Sequence, residues 1–149
     1  MKPLLAPLLF AVAATALAAP QHDAPAVRLH GQRFSTEFAT TDASREHGLM
    51  MRTQLAADHS MLFVFAQDDQ RWFWMKNTLI PLDILYFDGN RKLVSVQANV
   101  PPCKADPCPS YPSDLPARYV LELPAGTAGR IGAMVGDELT IEGNVGAVE

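Results

Sequence analysis

The segment Leu82 to Phe87, LDILYF, holds a single charged side chain and lies between Pro81 and the dipeptide Asp88-Gly89. A run this short, bounded by turn chemistry, has the length of a strand rather than a helix. Alternation sends Asp83, Leu85 and Phe87 to one face and Leu82, Ile84 and Tyr86 to the other. Both faces are apolar around the aspartate, so the strand is buried. Similar short segments recur along the chain. VRLHGQRFSTEFA alternates on both sides of Gly31 as a hairpin does, and MLFVF (Met61 to Phe65) is a wholly apolar strand. A turn at AQDDQ leads into the strand-like RWFWM, KLVSVQ returns from Asp88-Gly89, RYVLEL is a further strand, and DELTIEG closes the domain. Thr41 or Asp42 caps a short helix through ASREHGLMM, with Arg45 and Glu46 on its wet face and Leu49 and Met50 turned inward. GTAGRIGAMVG supports a short helix at most. Residues 101–116 hold six prolines, which predicts a long loop without regular structure. Altogether about seven or eight short strands and one or two short helices are expected, a mainly β sandwich or barrel.

The first residues carry a positive start at Lys2, an apolar stretch from Leu4 to Leu17 and the small-x-small pattern Ala16-Leu17-Ala18. This is the pattern of a signal peptide, with cleavage expected after Ala18. A membrane anchor would need about 18 or more uninterrupted apolar residues, and Pro7 interrupts these. The expected organisation is a leader over 1–18, a mature N-terminal segment and first strand over 19–33, one domain over 34–142 and a tail over 143–149. The address is periplasmic or secreted, without membrane insertion of the mature chain. Removing the leader takes one base, Lys2, and no acid, so the net charge of −4 becomes −5. An acidic chain without a basic run argues against nucleic acid as a partner.

The two cysteines, Cys103 and Cys108, lie in PPCKADPCPS. In an oxidising compartment they are expected to pair, closing a short loop that stabilises the fold by roughly 2 kcal/mol in the chain-entropy model. A redox couple and a metal site rank lower, because the spacing is not CxxC and no further soft ligand is near. His22, His30, His47 and His59 fall in the tail, a turn, a helix face and a loop, without metal-ligand spacing. Met50, Met51, Met61 and Met75 stand beside other apolar residues as core filler does. Neither a metal nor a cofactor is expected.

Asp83 raises the sharpest question, since a carboxylate in an apolar strand needs a cation or several backbone N–H donors to stay ionised. Arg52, Arg71, Lys76 and Arg118 are the available cations, and pairing with Arg52 or Lys76 is the expectation. Asn77 and Thr78, followed by Pro81, read as turn chemistry. Trp72 and Trp74 share one strand face, Phe73 and Met75 the other. One pair should be core, and the other either packs or lines a groove. Glu122 shares its face with Val120 and Pro124, for which solvent is the default neighbour. Should that face meet Asp83, the two would form a carboxylate pair able to hydrolyse a glycoside.

GLMMRTQL (Gly48 to Leu55), MLFVF (Met61 to Phe65), WMKNTLIPLDI (Trp74 to Ile84), YVLELPAG (Tyr119 to Gly126) and Gly136-Asp137 occur in an order and spacing that resemble the bacterial and archaeal family known as domain of unknown function 192. Ser60 stands where the family usually has glycine, and the cysteine loop lies outside the shared blocks. The resemblance implies a compact, predominantly β, often exported domain, and implies no activity. Its blocks suggest that Arg52, Trp74, Lys76, Asn77, Asp83 and Glu122 converge.

Three functional readings follow. One is a binding or accessory module whose groove beside Trp72 or Trp74 accepts a small molecule, a glycan or a peptide. Another is a cell-envelope glycan hydrolase using Asp83 and Glu122. The third is a structural or interaction protein that uses a sheet edge or the proline-rich loop. No sequence feature points to an oligomeric state.

Overall fold

A computed structural model describes residues 24–149; the expected leader and cleavage point lie outside the described residues. The elements run β1 (Ala26–Leu29), β2 (Gln32–Ala39), α1 (Asp42–His47), β3 (His59–Asp69), β4 (Trp72–Trp74), β5 (Leu82–Phe87), β6 (Leu93–Val100), β7 (Ser110–Pro112), β8 (Ala117–Pro124), α2 (Thr127–Ile131) and β9 (Thr140–Glu142). The chain is mainly β, as its short alternating segments imply. Seven strands form one sheet in the order β6-β5-β8-β3-β2-β1-β9, and β4 pairs with β7 in a separate ribbon. All pairings are antiparallel except β2 with β3.

The large sheet curls until its two edges meet. Lys92, just before β6, bridges Glu138, just before β9. Backbone hydrogen bonds from Leu93 N to the Asp137 carbonyl, from Gly136 N to the Leu93 carbonyl and from Leu139 N to the Arg91 carbonyl continue the seam. Closure of this kind leaves few unpaired edge groups. Inside lies one core, containing Leu29, Phe34, Leu62, Leu85, Phe87, Leu121, Leu123 and Leu139. The outer face carries a second core, containing Leu49, Phe63, Met75, Leu82, Ile84, Tyr86 and Val120. It is covered by the segment after α1 and by the β4–β7 ribbon. Phe73 of β4 sits edge-on to Phe63 at 4.9 Å and to Tyr86 at 5.9 Å between ring centroids. Two covered faces are what the apolar strand LDILYF requires, and all six of its residues are buried.

Several local expectations are corrected. The proline-rich segment is not wholly irregular, because Ser110–Pro112 forms β7 opposite β4. A two-stranded ribbon bonds on one side only, which is where proline is tolerated. The segment AQDDQ is not a turn throughout, since β3 continues to Asp69 with an irregularity after Val64. His59 begins β3 rather than lying in a loop. Arg45 does not sit on a wet face: its side chain is 10 % exposed, and it donates to the carbonyls of Thr40 and Val64. Thr41 caps α1 in a capping box with Ser44. Cys103 and Cys108 are joined in a disulfide.

Candidate functional site

Asp83 is fully buried on the inner face and meets no cation. Its Oδ1 accepts from the backbone N–H groups of Asn99 (2.7 Å) and Gly126 (3.0 Å), and its Oδ2 from Ala128 N at 2.8 Å. The expected pairing with Arg52 or Lys76 is thereby replaced by the other solution open to a buried carboxylate, three aimed backbone donors. These come from β6 and from the entry to α2, so Asp83 ties the helix to the sheet. Arg52 instead donates to both carboxylate oxygens of Glu37, at 2.5 and 2.6 Å. His59 Nε2 adds a contact to Glu37 Oε1 at 2.8 Å. The Arg52 hydrogen bonds, helped by His59 and opposed by partial burial, hold the Glu37 carboxyl down at about 2. Arg118 pairs with Asp68, and the Arg71 guanidinium stacks 3.8 Å from the centre of the Phe65 ring.

Glu122 departs furthest from expectation. It is 5 % exposed rather than facing solvent, because the chain after α1 folds across its face of the sheet. Register places Asp83 opposite Leu123 and Glu122 opposite Ile84, so the two carboxyl groups point to opposite faces of the sheet. They do not form the facing pair that a glycoside hydrolase requires. Burial without a compensating charge pushes the Glu122 carboxyl up to about 8, so at neutral pH it is mainly a neutral acid. Its Oε2 is enclosed and has no hydrogen-bond partner.

Glu122 lines a small cavity of about 30 Å³, together with Gly48, Leu49, Phe63, Phe73, Trp74 and Thr78. Gly48 ends α1 at φ 48° and ψ −131°, and a β-carbon there would lie 3.1 Å from the Phe63 ring. Only glycine lets the backbone pass so close over the cavity. Glu46, His47, Met50 and Trp74 also line a wider groove of about 390 Å³, which Lys76 and Asn77 complete. The four shared residues make the cavity a recess of the groove.

Trp74 is 48 % exposed and Trp72 65 %, while Met75 is buried and Phe73 packs against the outer core. The alternation of the strand thus sends its tryptophans outward. Lys76 Nζ lies 5.1 Å from the centre of the Trp74 ring. Asn77 adopts φ 54° and its carbonyl accepts from Met51 N at 2.8 Å, which locks the turn carrying Lys76 to the segment after α1. Trp74, Lys76, Asn77 and Glu122 are therefore brought together around one groove and its recess. Asp83 serves the opposite face, and Arg52 is tied to Glu37. Sequence reasoning missed His47, Glu46 and Met50 as groove residues, since only the path of the chain after α1 lays them beside Trp74. Among the described residues no group of three or more His, Cys, Asp or Glu side chains could hold a metal, and no helix is long and apolar enough to cross a membrane.

The family model of domain of unknown function 192, described as "Uncharacterized ACR", matches residues 26–141. No curated protein matches the chain. Among solved structures, a protein from Sinorhizobium meliloti 1021 described as a candidate transcription regulator is 39 % identical, with a TM-score of 0.71 over 78 % of this chain and 92 % of that one. A protein of unknown function from Novosphingobium aromaticivorans DSM 12444 is 33 % identical, with a TM-score of 0.73 over 86 % of this chain and 94 % of that one.

Proposed function

Because the chain belongs to the family of domain of unknown function 192, whose name carries no activity, we propose from the site alone that it is a ligand-binding module of the cell envelope. One observation carries this reading: an exposed tryptophan, Trp74, stands beside Lys76 and Asn77 on a groove of about 390 Å³. An aromatic wall with a few polar groups is the usual make-up of a small-molecule site. Trp74 supplies the apolar contact, while Lys76 and Asn77 supply charge and hydrogen bonds at the rim. Asp83 and Arg52 hold the scaffold. The disulfide and the leader-like residues 1–18 support a periplasmic or secreted address. A transcriptional role is not carried over from the Sinorhizobium protein, because this chain is acidic and has no basic run.

Trp72→Phe leaves Trp74 as the sole tryptophan, whose fluorescence then reports on the groove. Titration with soluble envelope glycan fragments, short peptides and small charged metabolites is expected to give a saturable change with at least one class. Asn77→Ala should weaken it. The absence of any saturable change across all three classes would defeat the reading.

A further inference from the structure

We infer that the recess behind Trp74 receives the primary ammonium group of the ligand, with the Glu122 carboxyl as its acceptor. This rests on the reading of the groove as a ligand site. Several nearby donors of the chain are already committed. The Arg45 guanidinium donates to the Thr40 and Val64 carbonyls, to Asp42 and to the Glu149 carbonyl. The Tyr86 hydroxyl donates to the Tyr111 carbonyl at 2.6 Å, and the Thr78 hydroxyl to the Lys76 carbonyl at 3.4 Å. Glu122 Oε2 is left enclosed with no partner. A ligand that pairs with Glu122 in its carboxylate form brings the donor itself.

Size and walls narrow the choice of donor. A recess of about 30 Å³ exceeds the roughly 10–15 Å³ that one water needs, and an ammonium head is about as large as a water. Its walls are Phe63, Phe73 and Trp74, and aromatic surfaces attract a cation where they attract no neutral donor comparably. The rest of the molecule would lie in the wider groove, which shares Trp74 and Met50 with the recess.

An ionic pair at this place has a consequence for pH. Burial holds Glu122 protonated up to about pH 8, so uptake of an ammonium ion at neutral pH must release the carboxyl proton to solvent. Affinity then rises about tenfold per pH unit below pH 8 and levels off above it, by proton linkage. The other groups around the recess are Arg45, Glu46 and His47 from α1 and its end, and Tyr86 from β5, whose ionisation is opposed by burial first and by Glu122 second. Lys76 lies on the outer groove.

Butylammonium, butyrate and butanol are suitable probes, titrated into the Trp72→Phe protein at several pH values while Trp74 fluorescence is followed. Butylammonium is expected to bind, butyrate and butanol to bind at least about tenfold more weakly, and the affinity for butylammonium to climb about tenfold per pH unit. Glu122→Gln, checked for folding by its thermal transition, should weaken butylammonium binding by about tenfold to a hundredfold at pH 8 and abolish the pH dependence. His47→Gln should leave that dependence in place. Calorimetry in two buffers of different ionisation enthalpy should show about one proton released per butylammonium bound below pH 8, a result that does not depend on any Glu122 variant. Preferential binding of butyrate or butanol, or an affinity for butylammonium that is flat or falls with pH, would overturn the inference while leaving the groove as a ligand site. Silence of Trp74 toward these probes and toward the envelope fragments would overturn both.

Discussion

Two acidic residues on neighbouring strands solve the problem of burial in opposite ways. Asp83 is surrounded by three backbone donors, and Glu122 by none that reach its Oε2. Replacing Asp83 by Asn sets an amide NH2 against at least one backbone N–H. The expected loss is about 1–3 kcal/mol for each donor left unpaired, measurable as a lower urea midpoint at pH 7. Glu122 should behave in the reverse sense. Its folded value of about 8 lies above the ordinary 4.5, so the folded state holds the proton more tightly than the unfolded state. Its contribution is fully present below about pH 4.5 and is lost as pH rises toward 8, at about 1.4 kcal/mol per pH unit. Glu122→Gln should therefore gain stability relative to wild type across that window. Urea unfolding of both proteins at pH 5, 6 and 7 gives the difference, and a constant difference would contradict the assignment of Glu122 as a buried neutral acid.

At the scale of elements, the site is made by short irregular segments laid over a regular sheet. α1 has six residues and would not be stable alone. It is held by its Thr41–Ser44 capping box, by Arg45, and by the turn at Gly48. Gly48→Ala would place a side chain in a left-handed conformation and against Phe63. The expected cost is about 1–3 kcal/mol from backbone strain, with a shift in Trp74 emission as the covering segment moves. The disulfide loop spans a sequence separation of five. Replacing both cysteines by serine should lower stability by about 2 kcal/mol, read as the change in urea midpoint. Thr41, Gly31 and Asp88-Gly89 were legible in the sequence because caps and tight turns are local. The strand β7 was not, because its support comes from distant partners, β4 and the side chains of Tyr86 and Gln97.

For the whole molecule, the seam between the Arg91–Leu93 and Gly136–Leu139 segments turns an open sheet into a closed one. Leu139 sits at that seam, fully buried in the inner core. Leu139→Ala should cost about 2–5 kcal/mol, since the surrounding sheet can collapse only partly into the space left. Its thermal transition should fall accordingly. The sheet separates the inner core from the outer one, and its register keeps Asp83 and Glu122 on opposite faces.

What the chain alone determined is whatever depends on neighbours in sequence. The alternation of LDILYF, the shared face of the two tryptophans of RWFWM, the hairpin at Gly31 and the mainly β class all follow from side-chain periodicity of two and from local turn chemistry. The partners of the polar residues do not follow from it. Asp83 could have met a cation or backbone donors, and Glu122 could have met water. Those outcomes depended on which distant segment covers each face: the entry to α2 over Asp83, and the chain after α1 over Glu122. Burial and hydrogen bonding act through space between groups far apart in the chain, so only the tertiary structure could decide them.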